Sequence, residues 1–374
     1  MSEYFATVAR GLEPMAAKEL KRLGAAGVEA EFAGVNFSGD RALLYRVNLW
    51  ARTIFRVLVP IAKFPCPDAD RLYREVQKID WEQYLHPDQT LAVHCTGSNT
   101  KLNHTHFTAL QVKNAIVDRQ RRQFGRRSTV DLSDPDLQIN LHIHRDRGIL
   151  SLDSSGTSLH RRGYRPAVGK APLKESLAAA LLEFAEWDCD RPFLDPLCGS
   201  GTLPLEASLK ALNVAPGLFR DSFGFMKWPD FDASLWQQIR RDAEDSRREE
   251  LGVSIVGCDR DPEVLAQAEY NARQCGVGDR LQLVRSELSE VEPPADGGII
   301  VCNPPYGERL GNVEELGELY QLLGDLLKQR FKGWTAYIFT GNKELSKRIG
   351  LRTSKRIPLY NGALPCTLLK YELY

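Results

Sequence analysis

The sequence predicts an α/β protein that has a doubly wound, mainly parallel sheet in its carboxyl-terminal half and smaller α+β segments before it. After residue 165, apolar strand-like runs alternate with helical runs at a spacing typical of such a sheet. Before that residue, short strands and helices are mixed. The chain of 374 residues is long enough for two or three domains, and its 43% hydrophobic and 26% charged content is typical of globular proteins.

Two segments are predicted within the first 158 residues, and they meet near Pro65 and Pro67. In residues 1–66 we expect a helix at 13–23 and strands at 4–9, 35–37 and 41–47. In residues 67–158 we expect helices at 69–79 and 106–124, and strands at 90–96, 136–144 and 148–153. This composition of elements predicts two small α+β units.

The third segment, residues 159–374, carries the alternating pattern. We expect helices at 175–187, 202–212, 262–275 and 314–331. We expect strands at 192–195, 254–259, 281–284, 298–302, 335–340 and 366–373. A polar insert at 216–250 interrupts the series.

The net charge is zero, from 49 basic and 49 acidic residues, but the two signs are separated along the chain. Residues 101–130 carry seven basic residues and one acid, and residues 161–174 carry five basic residues and no acid. Two cationic regions beside a segment boundary favour binding to a phosphate backbone, and a solvated helix end is the alternative for either run. The residues expected to bind these phosphates are Lys113, Arg119, Arg121, Arg122, Arg126, Arg127, Arg161, Arg162 and Arg165.

Several classes of protein are disfavoured by the sequence. It holds no run of about 18 uncharged apolar residues, and its start lacks the cationic-then-apolar order of a secretory signal. The eight cysteines include no C-x-x-C pair and match neither a disulfide framework nor a zinc site. We therefore expect a cytoplasmic protein that has reduced cysteines and neither a membrane span nor a bound metal.

A glycine-rich loop, Asp195-Pro-Leu-Cys-Gly-Ser-Gly-Thr202, lies between a predicted strand and a predicted helix. Gly199 and Gly201 allow the backbone to come close to a ligand and to adopt φ values that other residues avoid. The loop lacks the lysine of a P-loop and the full G-x-G-x-x-G of a dinucleotide-binding turn. Taken alone, it is either a ligand-binding loop or an ordinary turn.

An acidic residue, Asp259, ends the next predicted strand, within the run Gly257-Cys-Asp-Arg-Asp-Pro262. A carboxylate at a strand tip can accept hydrogen bonds from the two hydroxyls of a ribose. We expect Asp261 to cap the following helix, with Pro262 at its first position.

A third motif, Asn303-Pro-Pro-Tyr306, follows the predicted strand 298–302. The two prolines stiffen the turn and fix the direction of the Asn303 side chain. An amide oxygen and a rigid carbonyl can accept two hydrogen bonds from an exocyclic amine, and Tyr306 offers a face for stacking. The position at a strand's carboxyl end is where open sheets bind ligands.

In this order, the three motifs resemble those of S-adenosylmethionine-dependent methyltransferases that act on amino groups. The resemblance implies a Rossmann-like catalytic domain. It implies cofactor contacts from Asp195, Cys198, Gly199, Gly201, Thr202, Asp259 and Asn303, with Ser286 or Glu287 near the adenine. It also implies a catalytic role for Asn303, Pro304, Pro305 and Tyr306.

The amino-terminal half narrows the branch. The run 139–165, which contains Gly156-Thr-Ser-Leu-His-Arg-Arg-Gly-Tyr-Arg165, resembles the junction between a THUMP domain and its methyltransferase domain. The resemblance implies a ferredoxin-like start at 1–66, a THUMP RNA-binding domain at 67–158 and a methyltransferase domain at 159–374. It implies methylation of the N2 amine of guanine in structured RNA, with 23S rRNA as the favoured substrate.

Other functions remain open from the residues themselves, because the Asn-Pro-Pro-Tyr motif does not separate guanine N2 from adenine N6 or from a glutamine side chain. The alternatives are a transfer RNA guanine-N2 methyltransferase, an adenine-N6 methyltransferase and a protein-glutamine methyltransferase. A non-catalytic RNA-binding protein is the alternative from a different class.

Overall fold

Two β-sheets organise the chain, one in each half. The computed structural model describes residues 1–165, 173–307 and 313–374. The middle of the second cationic region and the residues that follow Gly307 therefore lie outside the described residues. Within these ranges, the first sheet has eight strands and the second has seven.

The first sheet spans both amino-terminal segments. Its strands are β1 (Ser2–Val8), β2 (Ala26–Glu31), β3 (Gly34–Gly39), β4 (Ile54–Pro65), β5 (Thr90–Ser98), β6 (Thr129–Val130), β7 (Leu137–His144) and β8 (Arg147–Asp153). The accompanying helices are α1 (Glu13–Arg22), α2 (Arg41–Trp50), α3 (Ala69–Lys78) and α4 (Thr105–Phe124). The strand order is β2-β3-β1-β4-β8-β7-β5-β6. The long strand β4 pairs with β1 near its start and with β8 along the rest, so it joins the two segments into one sheet.

The prediction of a strand at 41–47 is wrong, because these residues form helix α2. Asp40 caps the helix by accepting a hydrogen bond from the backbone N–H of Leu43 at 2.8 Å. Most of the helix is buried, including Tyr45 and Val47, so its sequence shows no polar face that would reveal a helical period. Strand β4 was not predicted, since Arg56, Pro60 and Lys63 interrupt its apolar pattern.

The second sheet confirms the predicted doubly wound architecture. Its strands are β9 (Phe193–Asp195), β10 (Ile255–Asp259), β11 (Gln282–Arg285), β12 (Ile299–Cys302), β13 (Thr335–Thr340), β14 (Lys355–Asn361) and β15 (Leu364–Glu372). Its helices are α5 (Glu175–Phe184), α6 (Thr202–Ala211), α7 (Ala233–Asp245), α8 (Pro262–Gln274), α9 (Val313–Arg330) and α10 (Lys343–Arg348). The order is β11-β10-β9-β12-β13-β15-β14, with β15 antiparallel to β13 and to β14. Strands β9 and β12 are neighbours, so the order reverses at β9, and ligands bind at such a reversal.

The central strands β9, β10, β12 and β13 are buried on both faces of this sheet. Successive residues of β12 alternate between two apolar cores: Ile299 and Val301 belong to one, and Ile300 and Cys302 to the other. The first of these cores continues into residues 1–66, whereas the second amino-terminal segment has a core of its own. The first segment is therefore packed firmly onto the carboxyl-terminal sheet.

Candidate active site

The three sequence motifs lie together at one edge of the second sheet. Asp195 is the last residue of β9, Asp259 is the last residue of β10, and Asn303 follows the end of β12. These strands are parallel neighbours, so their carboxyl ends share an edge. The backbone N–H of Gly199 donates to Oδ2 of Asp259 at 2.9 Å, which ties the glycine-rich loop to the tip of β10.

The two glycines of the loop have different surroundings. Gly199 has φ +54° and Gly201 has φ +84°, both in the left-handed region that favours glycine. A Cβ on Gly201 would lie 3.0 Å from the Cβ of Ala268, so this position is needed for close packing against α8. A Cβ on Gly199 would meet no described atom nearer than 4.0 Å, so the loop surface is open there.

Asp195 is buried beneath the loop. Its Oδ1 accepts a hydrogen bond from the backbone N–H of Leu197 at 3.2 Å. Burial raises the pKa of Asp195 to about 8, and the nearby negative charge of Asp259 acts in the same direction. The carboxyl group of Asp195 is therefore mostly protonated at neutral pH in the folded protein.

We expect an Asp195→Asn variant without cofactor to gain stability over the wild type as the pH rises from about 4 to 8. The folded-state pKa of about 8 lies above the ordinary value of 3.8. In this window the unfolded wild type has lost a proton that the folded wild type retains, so the free energy of unfolding of the wild type falls with rising pH relative to that of the variant. Denaturant unfolding of both proteins at several pH values measures the difference, and parallel profiles would contradict the expectation.

The carboxylate of Asp259 is held by the backbone on both oxygens. Oδ2 accepts from Gly199, and Oδ1 accepts from the backbone N–H of Asp261 at 3.0 Å. The predicted cap is confirmed, because Asp261 accepts from the backbone N–H of Glu263 at 2.9 Å at the start of α8 and Pro262 is the first helical residue. Each Asp259 oxygen keeps a further lone pair, so the group can still accept hydrogen bonds from a diol.

Ser286 and Glu287 lie beside Asp259. The backbone N–H of Ser286 donates to the Asp259 carbonyl at 3.1 Å, and the Ser286 hydroxyl donates to the Glu287 carbonyl at 3.0 Å. The Glu287 side chain is exposed. Cys198 and Thr202 are buried, and the Thr202 hydroxyl accepts a hydrogen bond from Arg165 at 2.8 Å.

The side chain of Asn303 carries an unpaired hydrogen-bond acceptor at this edge. Its Oδ1 is buried and has no hydrogen-bond partner among the residues that the structure describes. Leaving a buried acceptor unpaired costs about 1–3 kcal/mol, so such an atom at a ligand-binding edge favours a ligand that donates a hydrogen bond. Pro304 is buried and Pro305 half-buried, and both stiffen the turn.

Tyr306 is fixed by two strands that follow it in the sequence. Its hydroxyl accepts a hydrogen bond from the side-chain amide of Asn361 at 3.0 Å, and the Sγ of Cys366 lies 3.8 Å from the same oxygen. The ring meets Phe339 edge-on, with centroids 6.3 Å apart, and burial raises the pKa of Tyr306. A Cβ on Gly341 would lie 3.0 Å from the ring, so glycine leaves space for it. Asn361 was missed from sequence, although Asn361-Gly362 is a typical hairpin turn.

Comparisons with protein families agree with this geometry. Residues 162–370 match the model described as the RMKL-like methyltransferase domain, which covers more than half of the chain. The chain belongs to the RMKL-like methyltransferase family. Residues 66–153 match the THUMP domain, and residues 3–58 match the RlmL ferredoxin-like domain. The resemblance inferred from the motifs is therefore confirmed.

Members of this methyltransferase family are similar over nearly the whole chain. A Synechocystis protein that is provisionally named an RNA methyltransferase is 59% identical. It aligns over 99% of this chain and 97% of its own length. Ribosomal RNA large subunit methyltransferase K/L is 45% identical in Syntrophotalea carbinolica and 41% identical in Methylococcus capsulatus. The chain spans about half the length of these K/L relatives, 53% and 51% respectively.

Solved structures resemble this methyltransferase closely. SMU.472, assigned as a methyltransferase and crystallised with SAH, has a TM-score of 0.88 and 31% identity, with coverage of 100% of this chain and 98% of its own. A Listeria monocytogenes protein described as a predicted N6-adenine-specific DNA methylase has a TM-score of 0.88 and 33% identity, with coverage of 100% of this chain and 96% of its own. TrmN from Thermus thermophilus, at 19% identity and a TM-score of 0.72, shares the fold.

The cationic side chains predicted within the THUMP domain have different exposures. Arg121, Arg122, Arg126 and Arg127 are exposed, whereas Lys113 and Arg119 are half-buried. Arg126 pairs with Asp88 at 2.6 Å. Most of these charges therefore lie at the carboxyl-terminal end of α4 and in the turn after it.

Two of the predicted RNA contacts are corrected by the structure. The side chain of Arg162 is 1% exposed and pairs with Glu206 at 2.5 Å, and that of Arg165 is 4% exposed and bonds to Thr202. Arg161, which directly precedes Arg162, is exposed. The Arg162–Glu206 pair ties residues 161–165 to helix α6, so Arg162 and Arg165 have structural roles instead of lying on an exposed surface.

Among the described residues, no helix is long and apolar enough to cross a membrane, and no group of three candidate ligands for a metal ion occurs.

Proposed function

We propose that this protein transfers a methyl group from S-adenosylmethionine to the exocyclic N2 amine of a guanine in structured RNA, with 23S rRNA as its substrate. The observation that carries the proposal is the buried, unpaired Oδ1 of Asn303 beside the glycine-rich loop. An exocyclic amine donates the hydrogen bond that this oxygen lacks.

The described residues fit S-adenosylmethionine. The open backbone at Gly199 and the carboxylate of Asp259 lie at one sheet edge, and the structural relative SMU.472 was crystallised with SAH. In this proposal, Gly199 and Gly201 place the loop against the cofactor, Asp259 accepts from its ribose hydroxyls, and Ser286 or Glu287 lies near its adenine. Asp195, Cys198 and Thr202 support the loop from below, since their side chains are buried.

When bound, the cofactor supplies an activated methyl group on a sulfonium, which is already a good leaving group. The protein's contribution is positioning: Asn303 Oδ1 and the carbonyl of Pro304 each accept a hydrogen bond from the amine and thereby orient its lone pair. Tyr306 stacks on the base, and Pro305 stiffens the turn between them. A base within a helix must first leave its stack, which costs a few kcal/mol unless the site is unpaired.

The choice of RNA rests on the amino-terminal half and on the relatives. The chain contains a THUMP domain, and the K/L relatives are named for large-subunit ribosomal RNA. We propose that the chain divides into a ferredoxin-like domain at 1–66, the THUMP domain at 67–158 and the catalytic domain at 159–374. In this proposal, the exposed arginines of the THUMP domain and Arg161 bind RNA phosphates.

Adenine N6 is the second candidate, because the Listeria relative is described as acting at that position on DNA. To separate the candidates, protein-free ribosomal and transfer RNA are each incubated with the protein and isotopically labelled S-adenosylmethionine. The RNA is then digested to nucleosides, and mass spectrometry shows which nucleoside carries the label. We expect label in N2-methylguanosine from 23S rRNA. Label in N6-methyladenosine, or label confined to transfer RNA, would overturn the corresponding part of the proposal.

Replacing Arg121 and Arg122 by glutamine is expected to weaken RNA binding and to flatten its dependence on salt. Each lost phosphate contact lowers the slope of log affinity against log salt by about 0.7–0.9. Filter binding to 23S rRNA fragments at several salt concentrations gives that slope. The matched control replaces Arg240 and Arg241, which are exposed on α7 in the catalytic domain. Equal slopes for both double variants would contradict the assignment of α4.

A further inference from the structure

An exposed aromatic and cationic cluster lies on the ferredoxin-like domain where it meets strand β14. The guanidinium of Arg10 lies 5.7 Å from the ring centre of Phe32 and 4.8 Å from that of Tyr360. Phe32 is 80% exposed. Apart from the terminal residue Tyr374, no aromatic side chain in the described part of the chain is as exposed. We call Arg10, Phe32 and Tyr360 the stacking platform.

The platform is held in place by half-buried hydrogen bonds between one carboxylate and the backbone. The carboxylate of Glu13 accepts from the backbone N–H of Gly11 at 2.7 Å and from that of Ala33 at 3.0 Å. It therefore clamps the residues next to Arg10 and Phe32 to each other. Ala33 has φ +55°, which is unfavourable for a residue with a Cβ, so the turn that displays Phe32 is maintained against its local preference.

The topology places this platform at the same sheet edge as the candidate active site. Strand β15 runs antiparallel to β13, so it begins where β13 ends, and the end of β14 pairs with the beginning of β15. Tyr360 therefore lies at the edge where β9, β10 and β12 end. Its chain neighbour Asn361 donates to the hydroxyl of Tyr306.

The chemistry of the platform matches that of an unpaired nucleobase. Aromatic rings and the guanidinium plane of arginine both stack on bases, and base stacking does not need a particular sequence. Arg10 forms no ion pair with a described residue, so its charge is available to the RNA. A large exposed ring that is fixed by a carboxylate clamp and a strained turn has no role in the core.

We propose that the stacking platform binds an unpaired RNA base next to the target nucleotide. The ferredoxin-like domain thereby takes a direct part in substrate recognition. This inference rests on the proposed function, because it concerns the same RNA. It makes the active-site edge a composite surface, with the target base held at Tyr306 and a flanking base held at Phe32.

A Phe32→Trp variant tests the contact without requiring turnover. Titration with an oligoadenylate of about 12 nucleotides is expected to quench the added tryptophan fluorescence, and an RNA duplex of the same length is expected to quench it much less. Equal quenching by duplex and single strand, or none by either, would overturn the proposal. The proposal would also be overturned if this surface bound other macromolecules but not the oligoadenylate.

Kinetics with 23S rRNA tests the role in catalysis. Phe32→Ala and Arg10→Gln are each expected to raise the KM for RNA by roughly 5- to 20-fold, with kcat and S-adenosylmethionine affinity within about two-fold of wild type. Tyr270→Ala, which removes another exposed aromatic ring from α8, is the matched control and should leave both constants unchanged. Wild-type constants in Phe32→Ala would overturn the inference, whereas absence of methylation by the wild type would refute the proposed function and leave the fluorescence test valid.

Discussion

An Asn303→Ala variant is expected to transfer methyl groups roughly 100- to 1,000-fold more slowly than the wild type, because it removes an oxygen that orients the amine during the reaction. Binding of S-adenosylmethionine should change little, since the loop geometry depends on Gly199 and Asp259. Single-turnover kinetics with saturating RNA and calorimetry with the cofactor measure the two quantities separately.

Stability provides an internal control for this variant. Oδ1 of Asn303 has no partner among the described residues, so its removal should not lower the free energy of unfolding through a lost hydrogen bond. A variant that folds normally, binds the cofactor and still turns over at nearly the wild-type rate would exclude Asn303 from the proposed role. A variant that loses cofactor binding as well would assign the side chain to the cofactor instead.

A Glu206→Ala variant is expected to lower the free energy of unfolding by about 3–5 kcal/mol, because it leaves the buried charge of Arg162 without its acidic partner. Glu206 is fully buried and accepts from Arg162 at 2.5 Å and from the hydroxyl of Tyr164 at 2.5 Å. Denaturant unfolding of the two proteins measures the loss. We also expect weaker cofactor binding, since Glu206 lies on α6, directly after the glycine-rich loop.

Two further variants isolate the cause of this loss. Glu244→Ala breaks an exposed pair with Arg240 on α7 and should cost no more than about 0.5 kcal/mol. The double variant Glu206→Leu with Arg162→Met replaces both charges by apolar groups and should recover much of the stability lost in Glu206→Ala. A double variant as unstable as the single one would show that packing, and not the unpaired charge, determines the effect.

Much of the catalytic sheet could be predicted because its signals are local. The strands that end at Asp195, Asp259 and Cys302 were each expected within about one residue of the observed bounds. Their apolar runs are bounded by glycine, proline and acidic residues, and these residue types stop strands and start helices for reasons of backbone geometry. The convergence of three motifs then followed from the rule that parallel neighbours end at one edge.

The errors arose where burial replaced a local signal. Helix α2 is buried on most sides and so lacks the polar face that distinguishes a helix from a strand. Arg162 and Arg165 belong to a cationic run, and exposure cannot be read from such a run. The charge of Arg162 is neutralised by Glu206, which is 44 residues away in the sequence.

The sequence by itself determined the fold class, the order of the three motifs and the family resemblance, because each depends on residue types at short spacings. Only the tertiary structure decided which cations are buried, how Asn361 holds Tyr306, and that Arg10 and Phe32 lie beside Tyr360 at the active-site edge. Those relations join residues separated by 55 positions in one case and by more than 300 in another. Contacts over such separations are set by the packing of the ferredoxin-like domain onto the catalytic sheet, and no local pattern encodes that packing.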